Sequence, residues 1–293
     1  MISKLSLGTV QFGQDYGIAN TTGKVSKNEV VEIFDYARRV GIDCIDTAFA
    51  YGLSEFIIGE YLRENPSDFK IVSKLPPLEQ YRPGKVEEFL AQSLQRLRIK
   101  QLYGYLLHRF NDILIHDDIW NDLVRLKKYG KVEKIGFSLY SPDELLFLLD
   151  KDVGFDIVQV PYSIFDRRFE KYFDLLHKKG VEIQARSVFL QGLAFLDLDD
   201  LPASLQMARP QLESLRQIAL DRKISIEALC LNFVLSNNQI DKVIVGVDSL
   251  AQLKNNVVSI DSMARVQEVY GQLSGVKIER DDILLPYKWG NVS

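Results

Sequence analysis

The feature of this sequence that most constrains its fold is a repeated alternation of short apolar runs with longer amphipathic stretches. The run Leu102–Leu107 is typical of a buried strand, and residues 86–97 carry apolar side chains at the spacing of one helix face. Ser26 and Glu29 predict a capping box at the start of a helix that extends to about Val40. Alternating strands and helices predict a parallel sheet that is covered by helices.

Eight strand and helix units can be counted along the chain, and this number matches a single (β/α)8 TIM barrel of the α/β class. Strands are predicted at residues 4–9, in a run ending at 46, and at 69–74, 102–107, 132–138, 157–160, 181–187 and 242–245. The main helices are predicted at about 26–40, 54–63, 86–97, 117–129, from 141 onwards, and at 167–178, 204–221, 225–236 and 249–258.

The domain organisation predicted from the sequence is simple. An open doubly wound sheet is the alternative fold, but Gly8, Gly13 and Gly17 do not form the G-x-G-x-x-G pattern of dinucleotide-binding sheets. No proline- or glycine-rich linker divides the chain. We therefore expect residues 1–293 to form one domain, with 259–293 as a carboxyl-terminal helix and tail.

Composition limits the kinds of partner that we expect. The 293 residues are 46% hydrophobic and carry a formal net charge of −4, with acidic and basic residues interleaved, so nucleic acid is not expected to bind. No run of about 18 apolar residues occurs and the first residues do not resemble a signal sequence, which predicts no membrane segment and a cytoplasmic location. Cys44 and Cys230 lack metal-binding spacing and are expected to be buried free thiols.

Four chemically active side chains are predicted to lie where three consecutive strands end. The stretch 46–52 begins with Asp46 at the end of one strand and reaches Tyr51 in the following loop. Lys74 and His108 close the next two strands. Because parallel α/β folds carry their reactive groups at the carboxyl ends of strands, we expect these four side chains to converge at one rim.

This set of side chains is suited to general acid chemistry at a carbonyl group. A phenol has a reference pKa of about 10, and we expect the charge of Lys74 to make Tyr51 more acidic. Asp46 is expected to keep Lys74 charged, and His108 to hydrogen-bond the carbonyl oxygen. The sequence carries no nucleophile elbow, H-E-x-x-H motif or zinc cluster, so a reductant has to come from outside the chain.

These four residues, in this order and spacing, resemble the catalytic tetrad of the aldo-keto reductases, and the resemblance extends from Leu5 to about Asn256. In that family the Asp and the Tyr are followed by a Lys at the end of strand three and a His at the end of strand four. The resemblance implies a (β/α)8 fold and a nicotinamide dinucleotide, usually NADPH. It also implies hydride transfer to an aldehyde or ketone, with Tyr51 as the acid.

The resemblance assigns further residues to the cofactor. They are Gly8, Thr9, Asp46, Ser138, Gln159, Arg186, Ser187, Gly246, Val247, Asp248, Gln252 and Asn256. Two places near the nicotinamide depart from the family pattern. Leu139 stands where an amide side chain is common, and Arg186 and Ser187 fall where many members have an aromatic residue that stacks on the ring. A guanidinium plane can stack as well.

The choice between NADP and NAD stays open at the adenosine end of the cofactor. The helix that follows Ser249 offers an amino end that suits an anion. Many members hold the 2′-phosphate with a Lys and an Arg, but Gly246 and Gln252 stand at those positions, and Asp248 would repel a phosphate. Family usage implies NADP as the cofactor, with NAD as a possible alternative.

Other functions and several details are also left open. A nicotinamide-binding regulatory protein with little or no turnover would keep the same residues. A Schiff-base lyase could use Lys74 as its nucleophile, although a charged lysine beside Asp46 is a poor one. The segment from Val276 either lines the substrate pocket or packs on the barrel. Three arginines near the rim are candidates for contact with an anionic substrate: Arg109, Arg167 and Arg168.

Overall fold

The computed structural model describes residues 1–21, 23–116 and 118–289, and the strands in these ranges close into a parallel barrel. They are β1 (Leu5–Gly8), β2 (Cys44–Asp46), β3 (Lys70–Leu75), β4 (Leu102–Leu107), β5 (Val132–Ser138), β6 (Ile157–Pro161), β7 (Glu182–Arg186) and β8 (Lys242–Gly246). Strand β8 returns to β1, with Gly246 opposite Gly8. The predicted (β/α)8 barrel is confirmed.

The helices surround this barrel. The α-helices in the described ranges are α1 (Val10–Gly13), α2 (Lys27–Val40), α3 (Ser54–Glu64), α4 (Lys85–Leu97), α5 (Asn111–Ile115), α6 (Asp118–Lys128), α7 (Pro142–Asp150), α8 (Phe173–Lys178), α9 (Arg209–Arg222), α10 (Ile226–Leu235), α11 (Leu250–Ser259), α12 (Met263–Glu268) and α13 (Asp281–Leu284). Short 3-10 helices are Ile2–Lys4, Glu170–Tyr172, Leu190–Phe195, Ala203–Ala208, Ile260–Ser262, Gln272–Val276 and Pro286–Lys288. Across these ranges, no helix is long and apolar enough to cross a membrane.

Some predicted helix bounds differ from the structure. The helix predicted at 167–178 is in fact the 3-10 turn Glu170–Tyr172 followed by the six residues of α8. Its sequence carries an apolar pattern that a mixed 3-10 and α-helix satisfies equally well, so periodicity could not find the change. Helix α5 was not predicted, and Asp117, the predicted first residue of the following helix, lies outside the described residues.

The capping box predicted at Ser26 is only half formed. Ser26 Oγ accepts a hydrogen bond from the Glu29 N–H at 3.3 Å. The Glu29 carboxylate accepts a hydrogen bond from the Leu250 N–H at 2.7 Å, rather than reaching back to Ser26. Glu29 therefore joins the first turn of α2 to the first turn of α11, across the junction where β1 meets β8. A complete capping box does form in α7, between Ser141 and Glu144.

The inside of the barrel is divided between an apolar cluster and a polar column. Cys44, Val72, Leu106 and Ile157 form the small apolar cluster, which is separate from the larger core between sheet and helices. The polar column consists of hydrogen-bonded carboxylate, amide and ammonium groups on four strands: Asp46, Lys74, Gln159, Gln184 and Glu182. Branched apolar residues usually fill such barrels, so the polar side chains of this column need hydrogen-bond partners inside the barrel.

The carboxyl-terminal segment packs on the outside of the barrel. The Ile278 N–H donates to the carbonyl of Phe165 at 2.9 Å, and Trp289 Nε1 donates to the carbonyl of Ile283 at 2.8 Å. Trp289 is 5% exposed, so its indole is part of the core. The last residues of the predicted tail, 290–293, lie outside the described residues.

Candidate active site

The four predicted strand-end side chains lie together at the carboxyl ends of β2, β3 and β4. Lys74 Nζ donates hydrogen bonds to both carboxylate oxygens of Asp46, at 2.7 and 2.8 Å, and to the carbonyl of Thr47 at 2.9 Å. The same nitrogen lies 5.1 Å from the centre of the Tyr51 ring. The rings of Tyr51 and His108 meet edge to face, with their centroids 5.7 Å apart. An ammonium, a carboxylate, a phenol and an imidazole thus form one compact group.

The loop that carries Tyr51 is held tightly against the start of the chain. A Cβ atom on Gly13 would lie 1.8 Å from the carbonyl oxygen of Tyr51, and Gly52 has a positive φ of 54°. Both positions therefore require glycine, because a side chain would collide with backbone or strain it. Thr9 Oγ1 donates to the carbonyl of Asp46 at 2.8 Å and accepts from Ser54 Oγ at 2.8 Å. These contacts fix the loop between β2 and α3.

Burial controls the proton affinities in this group. Burial raises the pKa of Tyr51 well above its usual range, the nearby Asp46 and Tyr140 add to the increase, and Arg186 opposes it. The sequence predicted a more acidic phenol; the pKa of Tyr51 is raised instead, because burial is the largest influence on it. The Tyr51 phenol keeps its proton at neutral pH, which is the form that a general acid needs.

The two cationic partners are shifted in the opposite direction. Burial lowers the pKa of Lys74, and Asp46 opposes this shift through its charge and its hydrogen bonds. Burial, followed by the charges of Lys74 and Arg186, lowers the pKa of His108 to about 3. The imidazole is consequently neutral at physiological pH, and it can donate one N–H to an oxygen without carrying a charge.

A cleft of about 450 Å³ opens beside this group. Its lining includes most of the residues predicted to form the site: Gly8, Thr9, Asp46, Tyr51, His108, Ser138, Arg186, Ser187, Gly246, Asp248, Gln252 and Asn256. Lys74, Gln159 and Val247 are not part of the lining, because they are buried behind it and are at most 1% exposed. Lys74 and Gln159 instead contact Asp46, which does line the cleft.

Several residues that line the cleft were not predicted from the sequence. The loop after β1 meets the loop after β7 above the cleft, where Gln191 Nε2 donates to Tyr16 Oη at 2.8 Å and the Ile18 N–H donates to the carbonyl of Gln191 at 3.1 Å. Gln191 has a φ of 53°, in the left-handed region that favours glycine, so its backbone is strained. Other missed lining residues include Gln11, Asn20, Tyr140, Phe189, Glu227 and Asn255.

Two features of the cleft fit a nicotinamide dinucleotide. Gln159 Oε1 is buried and has no hydrogen-bond partner in the described part of the chain, so it can accept from the amide of a nicotinamide. A Cβ atom on Gly246 would lie 2.7 Å from the amide of Gln11, and one on Gly8 would lie 3.2 Å from Gly246. Bare backbone at these two positions keeps the cleft open beside β1 and β8.

The amino end of α11 is less suited to a phosphate than its position predicts. Within the described residues, its first N–H groups already have side-chain acceptors: Leu250 N–H donates to Glu29 at 2.7 Å and Gln252 N–H donates to Ser249 Oγ at 3.2 Å. The Asp248 N–H donates to Gln252 Oε1 at 2.8 Å. Two carboxylates, those of Glu29 and Asp248, thus lie at the amino end of α11.

The arginines proposed for an anionic substrate are engaged elsewhere. Arg109 pairs with Asp112, and Arg167 donates to the carbonyl of Leu273 at 2.6 Å. Arg168 forms ion pairs with two carboxylates, Asp166 at 2.7 Å and Asp281 at 2.8 Å. None of the three lines the cleft.

Among the described residues that line the cleft, Arg186 is the only lysine or arginine. Its guanidinium lies 4.2 Å from the centre of the Tyr140 ring and donates to the carbonyl of Leu139 at 2.7 Å. Tyr287 of the carboxyl-terminal segment packs edge to face on Tyr140, with the two ring centroids 5.4 Å apart. Up to Trp289, where the described residues end, the segment thus packs on the barrel and does not line the cleft.

Neither cysteine is in a position to take part. Cys44 and Cys230 are buried free thiols, as predicted. Burial raises the pKa of Cys44 to about 12, so this thiol is not a nucleophile at neutral pH. Across the described residues, no group of three or more His, Cys, Asp or Glu side chains is placed to bind a metal ion.

Comparison with known proteins agrees with this geometry. A family model described as Aldo/keto reductase family matches residues 4–276. The chain is 26% identical to L-galactose dehydrogenase of Arabidopsis thaliana, over 93% of this chain and 91% of that protein. It is 24% identical to pyridoxal 4-dehydrogenase of Microbacterium luteolum, over 88% and 89%.

A solved structure shares the fold. The holo form of aldo-keto reductase AKR11C1 from Bacillus halodurans superposes with a TM-score of 0.74 and 22% identity, over 95% of this chain and 94% of that one.

Proposed function

Because this chain belongs to the aldo/keto reductase family, we propose that it is an NAD(P)H-dependent oxidoreductase that reduces an aldehyde or ketone to an alcohol. The observation that carries the proposal is the packing of a protonated Tyr51 against the buried pair of Lys74 and Asp46, beside a neutral His108. A small carbonyl compound in the cleft would meet these groups.

Each side chain of the group has a proposed role. Tyr51 gives its phenolic proton to the carbonyl oxygen, and the neutral His108 donates a hydrogen bond to the same oxygen. Lys74, held charged and in place by Asp46, stabilises the phenolate that remains after the proton has left. The bound nicotinamide supplies the hydride. The surrounding protein excludes water, which strengthens these interactions.

The residues assigned to the cofactor from the sequence are also a proposal. Their arrangement along the cleft supports it, from Ser138 and the buried Gln159 beside Asp46 to Asp248, Gln252 and Asn256 beside α11. We propose that the guanidinium of Arg186, which has one face on Tyr140, offers its other face to the nicotinamide.

The finer choice of cofactor follows from charge. Family usage favours NADP, but Asp248 and Glu29 at the start of α11 would both repel a 2′-phosphate. A carboxylate there suits the 2′-hydroxyl of NAD, to which it can accept a hydrogen bond. We therefore propose that NAD is preferred.

The test is a fluorescence titration of the purified protein with NADH and with NADPH, followed by nicotinamide absorbance with a panel of aldehydes and ketones. The proposal expects binding of a reduced cofactor and its oxidation by at least one carbonyl. Tight binding without turnover on any carbonyl would favour a regulatory protein. Absence of binding would contradict the proposed function.

A further inference from the structure

The polar column contains two buried glutamines whose amide groups are joined to each other. Gln159 lies in β6 and Gln184 in β7, and both side chains are fully buried. Gln159 Nε2 donates to Gln184 Oε1 at 2.9 Å, and Gln184 Nε2 donates to Glu182 Oε1 at 2.7 Å. Gln159 Nε2 also donates to Asp46 Oδ1 at 2.5 Å. Hydrogen bonds thus run from the candidate active site to Glu182, the first residue of β7.

The two carboxylates decide which way both amides face. An ionised carboxylate can only accept hydrogen bonds, so each glutamine must turn its NH₂ group towards the nearest one. If Gln159 were reversed, its oxygen would face the oxygens of Asp46 and Gln184. If both amides were reversed, oxygens would oppose each other at Asp46 and at Glu182. Only the observed arrangement pairs a donor with an acceptor at every contact.

Glu182 is well anchored as an acceptor. Its Oε2 accepts hydrogen bonds from Lys134 Nζ at 2.6 Å and from Tyr103 Oη at 2.5 Å. Burial would raise the pKa of Glu182, but the hydrogen bonds from Lys134, Tyr103 and Gln184 lower it below its ordinary value. The carboxylate therefore stays ionised near neutral pH and keeps Gln184 in one orientation.

In this arrangement one polar atom of Gln159 has no hydrogen-bond partner among the described residues. Both protons of Gln159 Nε2 are used, by Asp46 and Gln184, whereas Gln159 Oε1 is buried without a partner in the described part of the chain. Asp46, which this amide contacts, lines the cleft, and so does Ser138, which is paired with Gln159 in the sheet. The column therefore offers one acceptor to a ligand that brings an N–H group.

We propose that Gln184 and Glu182 are positioning residues, which hold the Gln159 amide so that its oxygen accepts from the amide N–H of a bound nicotinamide. This inference rests on the proposed function, because it needs a nicotinamide in the cleft. It assigns a role in cofactor recognition to residues that do not line the cleft.

The experiment compares three ligands by calorimetric titration: NAD, its 3-acetylpyridine analogue and ADP-ribose. The analogue has a methyl group in place of the amide NH₂, and ADP-ribose lacks the whole nicotinamide ring. The wild-type protein is expected to bind NAD more tightly than the analogue, on the order of fivefold for one hydrogen bond. The ratio of the two dissociation constants, that of the analogue over that of NAD, is expected to fall by at least about twofold in Gln184→Met. The affinity for ADP-ribose is expected to stay unchanged.

Two more variants complete the test. Glu182→Gln keeps the size of the side chain but can donate as well as accept, so it frees Gln184 to reverse and is expected to lower the ratio too. Circular dichroism shows whether Gln184→Met folds. If it does not, Glu182→Gln alone tests the positioning role. Tyr103→Phe removes one of the donors to Glu182 but keeps its charge, and is expected to behave like the wild type.

The outcomes separate this inference from the proposed function. A ratio that stays at the wild-type value in both column variants would overturn the positioning role. An equal loss of affinity for NAD and ADP-ribose would also overturn it, since a loosened barrel affects every ligand. If the wild-type protein binds none of the three ligands, the proposed function fails, and this inference fails with it.

Discussion

Tyr51 shows how a residue acquires its properties from its surroundings. The phenol is partly exposed to the cleft, but mostly protein atoms surround it, and the carboxylate of Asp46 lies near. Both effects oppose the phenolate and therefore keep the proton in place until a substrate needs it. Lys74, the cation expected to favour the phenolate, donates two hydrogen bonds to Asp46, so the carboxylate largely balances its positive charge.

Replacement of Tyr51 tests its proposed role as the acid. Tyr51→Phe keeps the ring but removes the proton, so turnover of a carbonyl substrate is expected to fall by about 10²- to 10⁴-fold. The dissociation constant of the reduced cofactor should stay within about twofold of the wild type, because the ring remains to fill its place. Tyr129→Phe, at a side chain that is 68% exposed, is the matched control. Turnover unchanged in Tyr51→Phe would exclude this tyrosine as the acid.

Replacement of Asp248 tests the preference for NAD. The wild-type protein is expected to bind NADH more tightly than NADPH, and Asp248→Ser to bind NADPH about tenfold better than the wild type, as one repulsive charge is removed. Asp261→Ser removes an exposed acid beyond the end of α11 and should leave both affinities as they are. Fluorescence titration with both cofactors gives the result. Tighter binding of NADPH by the wild type would show that this carboxylate does not select the cofactor.

At the scale of the element, helices α3 and α4 approach so closely that one glycine is required. A Cβ atom on Gly59 would lie 1.9 Å from the carbonyl oxygen of Arg96. An alanine in a helix interior normally gains about 1 kcal/mol over glycine. Here the clash between backbone and side chain is larger, and the two helices would have to move apart.

We therefore expect Gly59→Ala to lower the free energy of unfolding by about 2 kcal/mol or more, against the helix propensity. Gly154→Ala is the control, because a Cβ there meets nothing within 4 Å. Urea unfolding of both variants provides the measurement. A Gly59→Ala protein as stable as the wild type would mean that the helices are farther apart than the structure shows.

The elements were predictable where local sequence decides them. Strand β5 was predicted at 132–138 and is observed at Val132–Ser138, because its apolar run is bounded by Gly130 and by the proline of α7. The partner of Glu29 was not predictable, since Leu250 is far along the chain and only the closed barrel brings it near. The local sequence predicted both hydrogen bonds of the capping box, but in the folded protein the Glu29 carboxylate binds the Leu250 N–H instead of the Ser26 N–H.

The candidate site was predictable to a similar degree. The four strand-end residues converge because parallel strands share one rim. Tyr16 and Tyr140 lie in loops and Gln191 lies in a distorted 3-10 turn, and they were missed because no periodicity there marks which side chains turn inwards. The contact of Glu182 could not be predicted for another reason: the sequence does not show that its acceptor oxygen is opposite an amide two residues further along the same strand.

At the scale of the whole molecule, the neutral His108 makes stability depend on pH. Its pKa is about 3 in the folded protein, against about 6.5 in an unfolded chain. Between these values the unfolded chain binds a proton that the folded protein does not. Stability is therefore lost as the pH falls from about 6.5 towards 3, and above pH 6.5 this histidine has no effect.

The variant His108→Gln should lack this part of the acid sensitivity. Between pH 7 and pH 5 the wild type is expected to lose about 2 kcal/mol more unfolding free energy than the variant. Urea unfolding at several pH values measures the difference, and His177→Gln, at an exposed position, serves as the control. Parallel pH profiles for wild type and His108→Gln would show that the pKa of this imidazole is the same in the folded and the unfolded protein.

The pairing of β8 with β1 also sets the order of events during synthesis. The ribosome delivers β1 near the beginning of the chain and β8 more than two hundred residues later. Until Gly246 has emerged, β1 has an open edge, and the cleft lacks one of its two glycine-lined sides. A nascent chain that stalls before this point exposes strand edges to chaperones and proteases, and its cleft is incomplete. Because residues that line the cleft continue to Asn256, the cleft is complete only after most of the chain has been translated.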